Sequence, residues 1–262
     1  MSASCAILLS VLMVVLYAGT GKQDVVTFVL LVAFSILSYG WAELVGVPGR
    51  KTIGVSVALV GVCALVVTRL SGTFAWGAVA AVFAIAVSAV GQMVRKPPRE
   101  HLTDSLAASV CGGIFTAVGT VWLSAASSPD WQPVLTSAAL ILVTCVVGNQ
   151  WGTSVRSNLI GSVVCGAVSG LILGGVTVAM SLHSRVVQMM MPSISSGILS
   201  ALTTLTLTML LGIGIGLVVA AIDIVFGEHG RRCNETGALA RGALKFVASG
   251  MPVYVLLRIG GM

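Results

Sequence analysis

A few ionisable and amide side chains interrupt long apolar stretches of this chain, and they are the residues that could do chemistry. A charged group inside a bilayer is costly, so each one is a candidate for a substrate, ion or proton site. Six residues form the predicted intramembrane polar site: Glu43, Asn149, Gln150, Asp223, Arg241 and Lys245. Asp223 is prominent because it ends the apolar run "ILSALTTLTLTMLLGIGIGLVVAA" and precedes a basic loop.

Each of these residues also has a structural interpretation. Asp223 could pair with Lys245 or Arg241, which would neutralise costly charges without any catalytic task. Lys245 could instead extend its apolar stem to the membrane surface. Glu43 could anchor a helix at the interface, and Asn149 and Gln150 could hydrogen-bond between helices. The sequence leaves the structural pair and the ligand site open.

Residues typical of catalysis or metal binding do not form a recognisable set. The three histidines, His101, His183 and His229, lie in or beside loops and far apart in sequence. The six cysteines form no CxxC pair and mostly lie in apolar runs, where cysteine acts as a small packing residue: Cys5, Cys63, Cys111, Cys145, Cys165 and Cys233. The sequence also has no HExxH motif and no phosphate-binding loop. We therefore predict no catalytic residue, no metal ligand and no cofactor.

Composition identifies the elements that must position these side chains. Of 262 residues, 57% are hydrophobic and 8% are charged, and mean hydropathy is +1.06. Soluble domains carry about 25% charged residues, so a soluble fold is excluded. The net charge of +6 lies mainly in short loops and has no accompanying face of base-stacking aromatics, so nucleic-acid binding is not expected. Residues 1–262 are predicted to form a single integral membrane domain.

Apolar runs of about 17–25 residues predict the membrane spans. There are nine runs, of which the first and third are short: 4–20, 25–46, 53–68, 74–94, 105–126, 134–154, 158–183, 197–226 and 237–258. Because they are continuously apolar rather than alternating, they predict helices and not a barrel. The expected fold is all-α, a polytopic transmembrane helical bundle of about nine spans.

The distribution of Lys and Arg predicts the orientation. With a cytoplasmic N-terminus, the inner segments hold nine cations: Arg50, Lys51, Arg95, Lys96, Arg99, Arg156, Arg231, Arg232 and Arg241. The outer segments then hold four: Lys22, Arg69, Arg185 and Arg258. Cytoplasmic loops carry the excess of Lys and Arg, so we predict a multi-pass protein of the plasma (inner) membrane with its N-terminus inside. Five of the polar-site residues then lie towards the cytoplasmic face: Glu43, Asn149, Gln150, Asp223 and Lys245.

Small residues form a stripe on one late span. Gly166, Gly170 and Gly174 recur every four residues, which lets helix backbones approach closely. The stripe could pack inside the protein or form a homodimer face. The run "GIGIG", 212–216, lies within an apolar helix and is a second predicted point of tight packing or flexibility.

Two resemblances to known families follow from particular segments. "GQMVRKPPREHLTDSLAASVCGG" resembles a basic loop and Ser/Gly-rich span of uncharacterised polytopic membrane proteins of high-GC Gram-positive bacteria. "SYGWAELVGVPGRK", "AAIDIVFGEHG" and "GALARGALKFVASGMPVYVLLRI" resemble parts of the CDP-diacylglycerol synthases, the phosphatidate cytidylyltransferases. That resemblance implies a helical scaffold with a metal-dependent site facing the cytoplasm, in which Asp223 takes the acidic position and Arg241 that of the arginine in the last motif.

The chain departs from the cytidylyltransferase pattern at its metal ligands. Ala240 and Ala243 stand where the last motif carries aspartates, and "NQWGTSVRSNLIGS" lacks the lysine of an earlier motif. A magnesium–triphosphate site needs several oxygen ligands, so the resemblance implies a related scaffold with catalysis lost.

Three classes of function remain open from the sequence. The first is a non-catalytic membrane protein that acts as a scaffold, binds a membrane lipid, or associates with a membrane-protein partner or a second copy of itself. The second is a permease or channel for a small solute or ion. The third is a lipid enzyme of the cytidylyltransferase type.

Overall fold

The computed structural model describes residues 1–94, 101–128, 131–152, 154–180, 198–227 and 234–259. Within these ranges the protein is all-helical and contains no strand. The helices are α1 (Ser2–Thr20), α2 (Gln23–Val45), α3 (Arg50–Ser71), α4 (Ala75–Val94), α5 (Leu102–Gly119), α6 (Val121–Ala125), α7 (Gln132–Gly148), α8 (Val155–Ala179), α9 (Ile198–Val225), α10 (Glu235–Ala248) and α11 (Gly250–Ile259). His183, His229 and Cys233 lie outside the described residues, as do Arg95, Lys96, Arg99, Arg185, Arg231 and Arg232.

Seven helical segments are long and apolar enough to cross a membrane. They are α1, α2, α3, α4, the continuous pair α5–α6, α8 and α9, and their mean hydropathy ranges from 1.7 to 2.4. Their outward surfaces carry many exposed Leu, Val, Ile and Phe side chains. An apolar outer surface on helices of this length fits an integral, multi-pass membrane protein.

The two segments that fall short of spanning length are not the two that looked shortest in sequence. The first and third runs form full helices of 19 and 22 residues. The sixth run forms α7, which has 17 residues and ends where Asn149 caps it. The ninth run is divided at Ser249 into α10 and α11, and Pro252 follows the break. Proline lacks the backbone N–H that would continue the hydrogen-bond ladder, which favours a break there.

Helix α10 lies in the centre of the bundle, and two glycines allow this position. A β-carbon added to Gly40 of α2 would overlap the backbone oxygen of Thr236 in α10. One added to Gly242 of α10 would overlap the backbone oxygen of Ser2, at the start of α1. Helices α1 and α2 therefore contact the backbone of α10 directly, and nine of its residues are buried.

The predicted glycine stripe of α8 packs against α9 of the same chain. β-carbons on Gly166 and Gly170 would overlap the backbone oxygens of Gly212 and Thr208, and one on Gly174 would overlap the Thr208 hydroxyl. Gly212 belongs to the "GIGIG" run, so the two glycine-rich segments pack against each other. The stripe thus lies at an interface inside the protein.

Candidate functional site

Asp223 lies at the centre of a network of ion pairs near the end of α9. Its Oδ2 atom is 2.6 Å from Nζ of Lys245, and its Oδ1 atom is 2.6 Å from a terminal nitrogen of Arg241. The Nε–H of Arg241 also donates to Oδ1 at 2.7 Å. The amide of Asn149 donates to Oδ2, so both carboxylate oxygens are engaged. We call these four residues the Asp223 cluster.

The elements that build the Asp223 cluster are the ends of α7 and α9, and the middle and last turn of α10. Lys245 follows the first residue of α10 by ten positions, which is about 15 Å along a helix. At that depth it has only 1% of its side chain exposed, and Asp223 has 14%. The extension of the Lys245 side chain to the surface, which was one alternative left open by the sequence, is therefore not what the structure has. Lys245 is held inside the bundle by Asp223.

The Asp223 cluster contains one carboxylate and two cations. Lys245 and Arg241 are both on α10, one helical turn apart, and share the single acid. A charge inside a protein is stable only when it is paired and hydrogen-bonded. Asp223 therefore stabilises the buried Lys245 and the half-buried Arg241 at once, and it joins α9 to the central helix.

Glu43 belongs to a second group at the same end of the bundle. The guanidinium of Arg50, at the start of α3, and the hydroxyl of Thr236, at the start of α10, both donate to its carboxylate. Arg50 also lies over the ring of Tyr39, 4.3 Å from its centroid, which is a cation–π contact. These residues form the Glu43 cluster, which joins α2, α3 and α10.

The structure thus divides the predicted polar site. Asn149, Asp223, Arg241 and Lys245 come together, Glu43 lies in its own cluster, and Gln150 is exposed. Thr236 and Tyr39 were not predicted. A signal for Thr236 existed in the sequence, because it lies four residues before Ala240 and therefore on the buried face of an amphipathic helix.

Thr236 is expected to contribute to stability through the Glu43 cluster. Thr236→Val removes its hydroxyl and leaves one carboxylate oxygen of Glu43 without that donor. Hydrogen bonds to charged groups contribute about 1.5–3 kcal/mol, so the free energy of unfolding should fall by that amount. The measurement is thermal unfolding in detergent. Thr206→Val is the control, since Thr206 is exposed and donates to a carbonyl of its own helix. Equal melting of both variants would contradict the prediction.

A cavity of about 570 Å³ opens beside the Glu43 cluster, between the end of α2, α5, the end of α9 and the junction of α10 with α11. Its wall is aromatic and aliphatic, with Trp41 at its centre. The Trp41 ring makes edge contacts with Phe115 at 5.7 Å and Phe226 at 6.0 Å. The Nε1–H of Trp41 donates to the carbonyl of Ala108 at 2.7 Å, which fixes the ring. We call this space the lateral cavity.

Among the described residues that line the lateral cavity, one is charged, Asp104 in the first turn of α5. Ala221 of α9 and Cys111 of α5 also line it, and both side chains are exposed. The cavity can therefore hold an apolar group.

Among the residues that the structure describes, no group of three or more His, Cys, Asp or Glu side chains comes together. The arrangement instead provides ion pairs that join helices and an apolar cavity beside them. No protein-family model, curated protein or solved structure matches the chain. A proposal about function therefore depends on the geometry of this site.

Proposed function

We propose that this is a non-catalytic integral membrane protein that binds an acyl chain of a membrane lipid in the lateral cavity. The observation that carries the proposal is the cavity itself, whose lining, in the part of the chain that the structure describes, is apolar except for Asp104. Its volume falls within the range of about 300–1,000 Å³ that is typical of ligand sites.

The surroundings of the lateral cavity favour a lipid as its occupant. The helices that form its walls also carry exposed apolar residues outside its lining, including Leu217 and Ile224 on α9 and Leu102 on α5. In a bilayer this surface contacts lipid, so acyl chains are the apolar groups next to the cavity.

The Asp223 cluster supports a structural rather than a catalytic role for the acid. Both oxygens of Asp223 accept hydrogen bonds from groups of the protein itself. A cytidylyltransferase-type reaction would need free carboxylate oxygens for a magnesium ion. Asp223 is therefore better suited to hold α9 against α10 than to bind a magnesium ion. Holding these helices together keeps the walls of the lateral cavity in place.

The proposal also includes the orientation of the protein in the membrane. With the N-terminus in the cytoplasm and the protein in the plasma membrane, the Asp223 and Glu43 clusters lie towards the cytoplasmic side. Nine crossings then require that α7 and the broken pair α10–α11 also cross the membrane within the bundle.

Filling the lateral cavity is expected to reduce lipid binding. Ala221→Trp places an indole in the space that the acyl chain would occupy. In nanodiscs that contain a phospholipid with a photoreactive acyl chain, the wild-type protein should become labelled on α5 or α9. The variant should show about tenfold less labelling there, equivalent to about 1.4 kcal/mol of binding free energy.

The matched control for this experiment is Ala86→Trp, which adds the same ring on an exposed face of α4. It should leave labelling of the cavity walls unchanged. Cys111 offers a second readout, because lipid in the cavity should slow its reaction with a maleimide, whereas the half-buried Cys63 of α3 should not respond. Equal labelling of the wild type and Ala221→Trp would overturn the proposal.

A further inference from the structure

Buried polar side chains gather at the interface of α3, α4 and α5, away from both charged clusters. All five are uncharged and at most 3% exposed: Ser56, Ser88, Gln92, Ser105 and Ser109. We call this group the polar seam. It lies in the halves of these helices that are nearer the Glu43 cluster, because the Ser105 hydroxyl donates to Pro48 in the loop before α3.

Two members of the polar seam have no hydrogen-bond partner in the described part of the protein. They are Gln92, whose amide nitrogen and oxygen are both unpartnered, and Ser88, whose hydroxyl is unpartnered. The other three hydroxyls donate to backbone carbonyls: Ser56 to Thr52, Ser105 to Pro48 and Ser109 to Ser105. The unmet hydrogen-bonding capacity is therefore concentrated on α4.

Ser88 and Gln92 are four residues apart on α4, so they lie on one face, one turn above the other. The same face continues through Ala84, whose β-carbon would be 2.7 Å from one added to Gly113 of α5. A β-carbon on Gly91, beside Gln92, would be 2.8 Å from the hydroxyl of Ser56 in α3. Ser88 and Gln92 are thus enclosed between helices.

Enclosed amide and hydroxyl groups need partners, above all in a membrane protein that has no bulk water around its helices. Native proteins meet this need with a bound molecule, most often a buried water that makes about three hydrogen bonds. A glutamine amide both donates and accepts, and a serine hydroxyl does the same. The partner must therefore do both, and the uncharged seam offers no charged group to hold an ion.

We propose that Gln92 and Ser88 bind one small uncharged molecule that both donates and accepts hydrogen bonds, either water or a small neutral alcohol. This site is independent of the lateral cavity and of the Asp223 cluster. It gives the α3–α4–α5 interface a specific polar ligand.

The proposal is tested by whether substitutions of Gln92 and Ser88 lower or raise the melting temperature. If the site is occupied, Gln92→Met and Ser88→Ala each remove a partner of the bound molecule. Each should lower the melting temperature in detergent by about 2–4 °C. The double variant should lose less than the sum of the two, because both changes remove the same ligand. Ser109→Ala is the control and should change little, since its hydroxyl bonds only within its own helix.

An empty site gives the opposite result. Gln92→Met and Ser88→Ala would then remove unpaired polar groups, so both melting temperatures would rise and the increases would add. That outcome would overturn the proposal. A glycerol titration of the wild type and Gln92→Met distinguishes the two candidate ligands. A steeper rise of the wild-type melting temperature identifies a neutral alcohol, and equal slopes identify water.

Discussion

Asp223→Asn is expected to destabilise the protein strongly. The substitution keeps the shape of the side chain but removes the negative charge that pairs with Lys245 and Arg241. Breaking a buried ion pair from one side costs about 3–5 kcal/mol, because the remaining charges lose their compensation. The melting temperature in detergent should fall by about 6–20 °C.

Lys245→Met should have a much smaller effect, although it removes a residue from the same cluster. The Asp223 cluster has two cations for one acid, and without Lys245 the carboxylate is still paired with Arg241. Methionine has a similar length and suits the buried position. We expect a change within about 1.5 kcal/mol, the usual cost of a volume-conserving core substitution. This asymmetry distinguishes charge compensation from simple packing at the cluster.

Asp24→Asn is the control, because it breaks an exposed ion pair whose charges are as close together as those of the Asp223 cluster. Asp24 and Arg69 are also 2.6 Å apart, but they are exposed at the other end of α2 and α3. Exposed pairs contribute about 0–1 kcal/mol, so this variant should melt near the wild type. If Asp223→Asn and Asp24→Asn melt at the same temperature, the Asp223 cluster does not join α9 to α10 in the way described.

Gly170→Val is expected to separate α8 from α9. A β-carbon at this position would overlap the backbone oxygen of Thr208, and backbone cannot move aside as the end of a flexible side chain can. Overpacking of this kind costs about 1–3 kcal/mol and occasionally more. We expect a melting temperature about 2–12 °C lower than that of the wild type.

Gly175→Val is the matched control on the same helix. A β-carbon on Gly175 would have no atom within 4 Å, so the variant should be stable. The pair also tests the homodimer alternative for the glycine stripe. If the glycine stripe served only a dimer, Gly170→Val would leave the stability of the monomer unchanged. It would also have a smaller mass than the wild type in size-exclusion chromatography with light scattering. That result would contradict the internal packing of α8 on α9.

The helical membrane character of this protein could be predicted from the sequence because it depends on local properties. Continuous apolar runs must form helices in lipid, since no water is present to pair the backbone. Residues such as Ser2–Thr20 and Arg50–Ser71 form helices for this reason, even though their apolar runs looked short. The cost of burying a charge likewise identified Asp223, Lys245 and Glu43 as residues that need partners.

The choice of partners depended on the tertiary structure. Asp223 pairs with both Lys245 and Arg241, while Glu43 pairs with Arg50 and Thr236, and the sequence did not separate these two groups. These partners are 7 to 193 residues apart and lie on different helices, so they meet only when the helices have a given depth and rotation. Close contacts at small residues such as Gly40 and Gly242 set that depth and rotation.

The sequence by itself therefore determined that the chain forms apolar helices and which of their charges need compensation, because both follow from the transfer of single residues and backbone groups out of water. Only the tertiary structure decided that α10 is short and central, that Gln92 and Ser88 lack partners within the described residues, and that a cavity opens beside Trp41. These features arise from packing between distant segments, where the fit of a few glycines and aromatic rings determines which surfaces meet.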